Sequence, residues 1–169
     1  MRISRKLCLL SLAFIFMNCT INASRKDVLK TVSGNTKDYS LNWEIIYDKV
    51  SLKLCLTSQY DNIEEVNCDT LVKKKDGYYS KNKGPKSLTG SEDYYLALTT
   101  KRDTFYMYKT PANENTCSIK KINNSLYTST TVVKGMSNFK QVIFFNHDYH
   151  ILKIETYLAD EKFVSESQK

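Results

Sequence analysis

The residue types able to carry acid–base or metal chemistry are concentrated in one segment, His147-Asp148-Tyr149-His150, which contains both histidines of the chain. Two histidines can serve as acid and base, and together with Asp148 they can bind a metal ion. The same composition is also typical of a turn, and His150 begins a segment in which Leu152 and Ile154 follow on the same face of a strand. We therefore interpret the segment as a turn and expect activity to survive replacement of both histidines.

Other catalytic signatures are missing from the sequence. It contains no Gly-x-Ser-x-Gly motif, no His-Glu-x-x-His motif and no glycine-rich phosphate loop. The three cysteines beyond residue 23 show no Cys-x-x-Cys spacing and have no histidine nearby in sequence, so no zinc site is expected. The sequence therefore predicts a protein that is not an enzyme and that needs no metal or other cofactor.

Residues 1–23 have the organisation of a secretory signal peptide. Three basic residues precede an apolar run over residues 7–17, and small or short residues lead to Ala23, after which we expect cleavage. The apolar run is too short to span a bilayer as a helix. The alternatives are an uncleaved anchor and a lipoprotein processed at Cys19. We expect a secreted, extracellular protein that makes no membrane contact once the signal is removed.

The charge balance argues against a nucleic-acid partner. Residues 24–169 carry 22 basic and 18 acidic side chains, a net charge of +4, and the basic residues are scattered. Nucleic-acid binding would require a clustered basic face. The one cluster, Lys73-Lys74-Lys75, precedes the turn dipeptide Asp76-Gly77, so we interpret it as a solvated hairpin turn; a polyanion site is the alternative.

Three cysteines, Cys55, Cys68 and Cys117, lie beyond the predicted signal peptide. Exported proteins normally pair their cysteines, so we expect one disulfide and one remaining thiol. The sequence does not choose among the three pairings. The third cysteine is either buried and inert or joined to another chain, and the oligomeric state is left open.

Strand patterns dominate the chain. Val50, Leu52, Leu54 and Leu56 alternate with polar residues, which predicts a strand with one apolar face and places Cys55 on the other face. Residues 94–109 predict a hairpin about Lys101-Arg102-Asp103, continued by a strand over residues 117–122. Counting such segments gives about eight strands and no crossover helix.

We therefore expect an all-β fold, an antiparallel up-and-down eight-stranded barrel. Its predicted organisation is a polar N-terminal arm over residues 24–40 and a single β-barrel domain over residues 41–169, which ends in a short helix or a frayed segment. A barrel of this size encloses either a pocket for one small ligand or a filled core. The sequon at Asn123 predicts N-glycosylation on a surface turn.

Several features together resemble a known family. They are the signal peptide, the lone Trp43 after a polar arm, Cys55 on a leucine-rich strand, and Tyr108-Lys109 followed by a short loop and Cys117-Ser-Ile-Lys-Lys-Ile. This combination is similar to the divergent salivary lipocalins of blood-feeding arthropods, particularly ticks. Two departures are Leu41-Asn42 in place of the Gly-x of the lipocalin Gly-x-Trp motif, and the odd number of cysteines. The resemblance implies an eight-stranded lipocalin-like barrel that sequesters a biogenic amine or lipid mediator, or that binds a host protein.

An apolar cavity with a few polar groups is the usual design of a small-ligand site. The aromatic side chains expected in its walls are Trp43, Tyr95, Tyr106, Tyr108 and Phe144. The carboxylates expected to meet an amine are Glu44, Asp93 and Glu155. The alternative is a protein without a ligand cavity that engages a protein partner through a tyrosine-rich outer surface.

Overall fold

The computed structural model describes residues 24–33, 39–81, 94–109, 113–135, 139–158 and 161–167; the predicted signal peptide lies outside them. These residues form twelve strands and no helix, so none of them belongs to a helix that could cross a membrane. The strands are β1 (Arg25–Ser33), β2 (Tyr39–Tyr47), β3 (Ser51–Tyr60), β4 (Ile63–Lys74), β5 (Gly77–Lys81), β6 (Tyr94–Leu98), β7 (Thr104–Lys109), β8 (Asn113–Lys121), β9 (Leu126–Gly135), β10 (Phe139–Asn146), β11 (Ile151–Leu158) and β12 (Glu161–Ser167).

All twelve strands pair in one sheet, in the order β6-β5-β4-β3-β2-β1-β12-β11-β10-β9-β8-β7, and every pair is antiparallel. The sheet curls into a half-barrel, which brings its two edge strands near each other. The Tyr106 hydroxyl on β7 donates to the Leu96 carbonyl oxygen on β6 over 2.6 Å, and Ser129 on β9 donates to the Ala97 carbonyl oxygen over 2.7 Å. The expectation of an all-β antiparallel fold is confirmed.

The predicted hairpin over residues 94–109 is wrong, and so is the count of eight strands. β6 pairs with β5 and β7 pairs with β8. Residues 99–103 therefore connect the two edges of the sheet and do not form the turn of a hairpin. Thr99 donates to the Asp76 carbonyl oxygen over 2.6 Å, which directs the connection towards the β4–β5 turn. Two strand-like segments and a short turn favour a hairpin locally, but long-range pairing decides the partner of each strand.

The ends of the described chain pair with each other near the middle of the sheet. Residues 25–33, expected in the polar arm, form β1, and residues 161–167, expected as a helix or frayed end, form β12; the two strands are neighbours. Leu29 on β1 and Phe163 on β12 are fully buried. Each strand is polar in composition. Burial of one large apolar residue on its inner face, together with backbone hydrogen bonds to a neighbouring strand on both sides, nevertheless stabilises it.

The concave inner face carries the core. Leu52 and Leu54 are buried there, and Cys55 lies on the opposite face, as the alternation predicts. Cys55 forms a disulfide with Cys68 on β4, while Cys117 is a buried free thiol. The core cluster comprises Leu29, Trp43, Ile45, Leu52, Leu54, Leu71, Tyr78, Leu98, Cys117, Ile119, Ile143, Phe145, Ile151 and Ile154.

Candidate functional site

The connections β2–β3, β4–β5, β6–β7, β8–β9 and β10–β11 all lie at one end of the sheet, which we call the turn end, because successive strands are antiparallel. Three of these connections meet there around a cavity of about 200 Å³. We call this cavity the turn-end pocket. It is lined by Lys73, Lys74, Lys75, Gly77, Tyr78, Thr100, Lys101, His147 and Tyr149.

One wall of the pocket is the tight turn between β4 and β5. Gly77 follows this turn, and a Cβ atom built on it would overlap the carbonyl oxygen of Leu98 on β6. Glycine therefore permits a close approach of the two backbones that no other residue allows without a shift. The hydrogen bond from Thr99 to the Asp76 carbonyl oxygen holds the same turn against the β6–β7 connection.

The opposite wall is the turn between β10 and β11. The Asn146 side-chain oxygen accepts the backbone N–H groups of Asp148 at 3.0 Å and His150 at 2.9 Å. Tyr149 has a φ of +64°, which is rare for a residue other than glycine, asparagine or aspartate. Such a conformation costs of order 1–3 kcal/mol and persists only where the surroundings impose it. Here the Asn146 bonds and the packing of the Tyr149 ring impose it.

Aromatic rings form the floor of the pocket. The Tyr149 ring meets the Tyr78 ring edge-on at 5.1 Å and stacks on Phe145 at 6.0 Å, and Phe145 stacks in turn on Tyr127 at 5.6 Å. Burial, and then the neighbouring Tyr149, raise the pKa of Tyr78 above its ordinary value. The Tyr78 phenol, neutral at physiological pH like an ordinary tyrosine, can donate a hydrogen bond.

The electrostatic character of the pocket is basic. Four lysines line it, and among the described lining residues there is no carboxylate. Two acids next to the lining residues have partners: both Asp76 carboxylate oxygens lie within 2.9 Å of the Tyr79 hydroxyl, and Asp148 lies 3.0 Å from His147. A pocket with this excess of positive charge favours an anion.

The four lysines are not equivalent. Lys73 is paired with Tyr78, and its ammonium lies 6.0 Å from the centre of the inward-facing Tyr78 ring. The Lys74 ammonium instead lies 4.8 Å from the ring of Tyr79, on the opposite face of β5. Lys73, on the same face as the aromatic floor, is therefore better placed than Lys74 to meet a ligand in the pocket.

His150, at the end of the same β10–β11 turn, belongs to a separate cluster that joins β1, β2 and β11. Its Nε2 atom lies 2.9 Å from the Asp27 carboxylate and 2.9 Å from the Arg25 guanidinium. The Tyr47 hydroxyl accepts the Ile151 N–H over 2.9 Å, and burial raises the pKa of Tyr47 to about 12. This cluster ties strands together. Within the described part of the chain, no group of three or more His, Cys, Asp or Glu side chains is arranged to hold a metal ion.

The residues expected to line an internal ligand site are placed in different parts of the structure. Trp43 is buried in the core. Tyr95 and Tyr106 stack at 6.2 Å where the two edges of the sheet approach each other. Tyr108 lies on β7 opposite Asn115, but its side chain is outside the described part of the structure, as is the whole of Asp93.

The remaining three lie on the outer face and do not line the interior. Glu44 alternates with Trp43 and pairs with Lys26 at 2.6 Å. The Phe144 ring lies 4.1 Å from the ammonium of Lys153. Glu155 accepts from Lys153 and Lys162, both at 3.1 Å. Alternation along β2, β10 and β11 places these side chains opposite the core residues, so the predicted aromatic and acidic residues do not form one site.

No local pattern in the sequence links Lys73-Lys74-Lys75 to residues 147–150. The structure brings the three lysines together with His147 and Tyr149 in the turn-end pocket, which Lys101 also lines. A signal was available, because alternate connections of an antiparallel meander lie at the same end of the sheet. An accurate strand count would have been needed to use it.

A comparison of the chain with protein-family models found no match, and neither did a comparison with curated proteins.

Proposed function

We propose that the protein is a secreted, non-enzymatic binding protein that sequesters a small anionic ligand in the turn-end pocket. The observation that carries this proposal is a cavity of about 200 Å³ lined by four lysines and, among its described residues, by no carboxylate. Pockets for drug-sized ligands usually measure about 300–1,000 Å³. The turn-end pocket therefore suits a small anion or the charged group of a larger molecule.

The same charge distribution separates the two ligand classes implied by the lipocalin resemblance. An amine would be repelled by the lysines, and the two described acids expected to receive it, Glu44 and Glu155, already pair with lysines on the outer face. A lipid mediator with an acidic group fits the pocket better than a biogenic amine.

Secretion and the lack of catalysis are supported by separate observations. The Cys55–Cys68 disulfide suits the oxidising compartment that the N-terminal sequence predicts. His147 is largely exposed and paired with Asp148, and His150 is engaged by Asp27. The contacts of His150 with Asp27 and Arg25 tie the β10–β11 turn to β1, which favours a structural role for His150 over acid–base catalysis.

Isothermal titration of the purified protein with octanoate and with tyramine tests this proposal. Octanoate should bind and tyramine should not. Replacing Lys73 and Lys101 together by glutamine should weaken octanoate binding by about tenfold or more, because each charged contact contributes of order 1.5–3 kcal/mol. Lys53→Gln, on the outer face of β3, is the matched control and should leave binding unchanged. A preference for tyramine would refute the proposal.

A second candidate is binding of a host protein, and it is favoured by the outer face of β7. Phe105 and Met107 are 67% and 55% exposed there, and Phe105 lines a groove of about 480 Å³. Large exposed apolar residues next to a groove are typical of interaction sites. Replacing Phe105 and Met107 by serine should abolish capture of a partner from host fluid without changing octanoate uptake. Equal capture by the variant would exclude this surface.

A further inference from the structure

We infer that the turn-end pocket is built for a dianionic group, a phosphate monoester or a sulfate, in preference to a carboxylate. The inference rests on the proposed function, namely that this pocket binds an anion. Three features are used. The number of lysines and the hydroxyl groups beside them favour the dianion, and the origin of the walls in both halves of the chain makes binding measurable as a gain in stability.

The first feature is the amount of charge. Lys73 near the end of β4, Lys75 in the β4–β5 turn and Lys101 in the β6–β7 connection meet at the pocket. A single carboxylate offsets one of these charges, whereas a phosphate monoester carries about −1.5 to −2 near neutral pH. Lysine serves as a phosphate-binding point charge in many proteins. The pocket therefore favours the more highly charged ligand.

The second feature is the supply of hydrogen-bond donors. The Thr100 hydroxyl donates a hydrogen bond to the Tyr149 hydroxyl over 3.4 Å. The Tyr149 hydroxyl proton is therefore available to another acceptor. A tyrosine with an ordinary pKa is already neutral near pH 7, and burial raises the pKa of the Tyr78 phenol further. A phosphate or sulfate group offers at least three acceptor oxygens, and a carboxylate offers two. The larger acceptor set matches these neutral donors better when lysines are also present.

The third feature is that the walls come from distant parts of the sequence. Lys73 to Gly77 belong to the first half of the chain, and His147 and Tyr149 belong to the second half. Lys101 lies on the connection that joins the two edges of the sheet. A bound dianion would contact both halves, so it should stabilise the folded state, since a ligand that binds only the native state raises its stability by mass action.

The phosphate group has two chemical sources, a soluble phosphorylated molecule or the head group of a phosphomonoester lipid. The Tyr78 and Tyr149 rings suit an aromatic group next to the anion, so phenyl phosphate, benzoate and inorganic sulfate are suitable probes. Phenyl phosphate and benzoate share the ring and differ in the anion. Sulfate keeps its two charges over the working pH range, whereas a phosphate monoester gains a proton near pH 6.

The experiment is titration calorimetry of the purified protein at about pH 7.5 and about pH 5.5, together with thermal unfolding. At the higher pH, phenyl phosphate should bind about tenfold or more tightly than benzoate, which corresponds to about 1.4 kcal/mol. At the lower pH, the binding of phenyl phosphate should weaken and the binding of sulfate should not. Phenyl phosphate should also raise the unfolding temperature. Lys73→Gln and Lys101→Gln should each reduce these effects, and Lys53→Gln should not.

The outcomes separate this inference from the proposed function. Benzoate binding as tight as phenyl phosphate binding would overturn the dianion inference and leave an anion-binding protein. A folded protein that binds none of the three anions would overturn both. Co-sedimentation with phosphatidylcholine vesicles containing phosphatidic acid, and not with phosphatidylcholine alone, would support a lipid source if Lys73→Gln and Lys101→Gln remove it. Binding of phenyl phosphate without co-sedimentation would support a soluble source.

Discussion

Cys55 and Cys68 lie directly opposite each other on β3 and β4, with their Cα atoms 4.0 Å apart and a disulfide between their side chains. The disulfide is on the outer face, while Leu54 next to Cys55 is in the core. It therefore links two strands that the ladder already pairs and contributes chiefly by restricting the unfolded chain. The sequence leaves three pairings open. The structure has the Cys55–Cys68 pairing, which closes the short loop.

Replacing both Cys55 and Cys68 by alanine should lower the free energy of unfolding by about 3 kcal/mol, the value expected for a closed loop of about this size. Urea unfolding of wild type and variant measures the difference. Wild type unfolded in the presence of a reductant should match the variant. An unchanged midpoint under reduction would contradict the disulfide.

Replacing Gly77 by alanine should destabilise the protein and disturb the turn-end pocket, because the added Cβ meets the Leu98 carbonyl oxygen. The backbone has to shift, and we expect a loss of about 1–3 kcal/mol, as for other overpacked positions. Thermal unfolding and octanoate titration give the two readouts. Thr70→Ala, at an exposed position on β4, should change neither; a Gly77→Ala protein with full stability would show that β5 and β6 are further apart.

The buried carboxylate Glu155 should make stability depend on pH. Burial alone would raise its pKa, but hydrogen bonds from Lys153, Lys162 and Tyr157 together outweigh burial and hold the pKa below its ordinary value. A carboxyl with a lowered pKa in the folded state stabilises the protein above its unfolded pKa, and the contribution is lost as pH falls through the folded pKa.

Glu155→Gln should therefore be less stable than wild type at neutral pH, by about 1–3 kcal/mol, and the gap should close in acid below about pH 4. Urea midpoints measured across this range test the sign. Glu166→Gln, an exposed residue paired in register with Lys153, is the control and should show little change. A gap that widens in acid would mean that the Glu155 pKa is raised.

The two histidines should respond differently to replacement. His150→Ala removes contacts with both Asp27 and Arg25 and should destabilise the protein by about 1 kcal/mol or more, because Asp27 is largely buried. His147→Ala removes only an exposed pair with Asp148 and should cost little. Thermal unfolding ranks the variants. Equal losses would indicate that the Asp27 cluster does not join β1 to β11.

Local patterns predicted several elements correctly. The alternation of leucines along β3 placed Leu52 and Leu54 inside and Cys55 outside, and the Asp76-Gly77 dipeptide marked a turn. The interpretation of residues 147–150 as a turn is also confirmed, since they connect the paired strands β10 and β11. These features depend on neighbours within about ten residues, where period-two burial and turn chemistry act directly.

Pairing between distant segments was beyond local patterns. Residues 94–109 have the composition of a hairpin, yet β6 and β7 occupy the two edges of the sheet. Residues 25–33 look polar, yet Leu29 is buried because β12 and β2 enclose it. In both cases the choice of neighbour depends on which arrangement buries more apolar surface over the whole chain, and this choice is not encoded within a single segment.

The sequence by itself determined that the chain forms antiparallel strands, which face of β3 is apolar, and where several turns lie. Only the tertiary structure decided that the described residues form twelve strands in one curled sheet, that Glu44 and Glu155 face outward, and that Lys73, Lys101 and His147 share a pocket. The physical reason is that strand alternation acts between neighbouring residues. Curling of the sheet, by contrast, brings together turns that lie far apart in sequence, and no local pattern specifies which turns will meet.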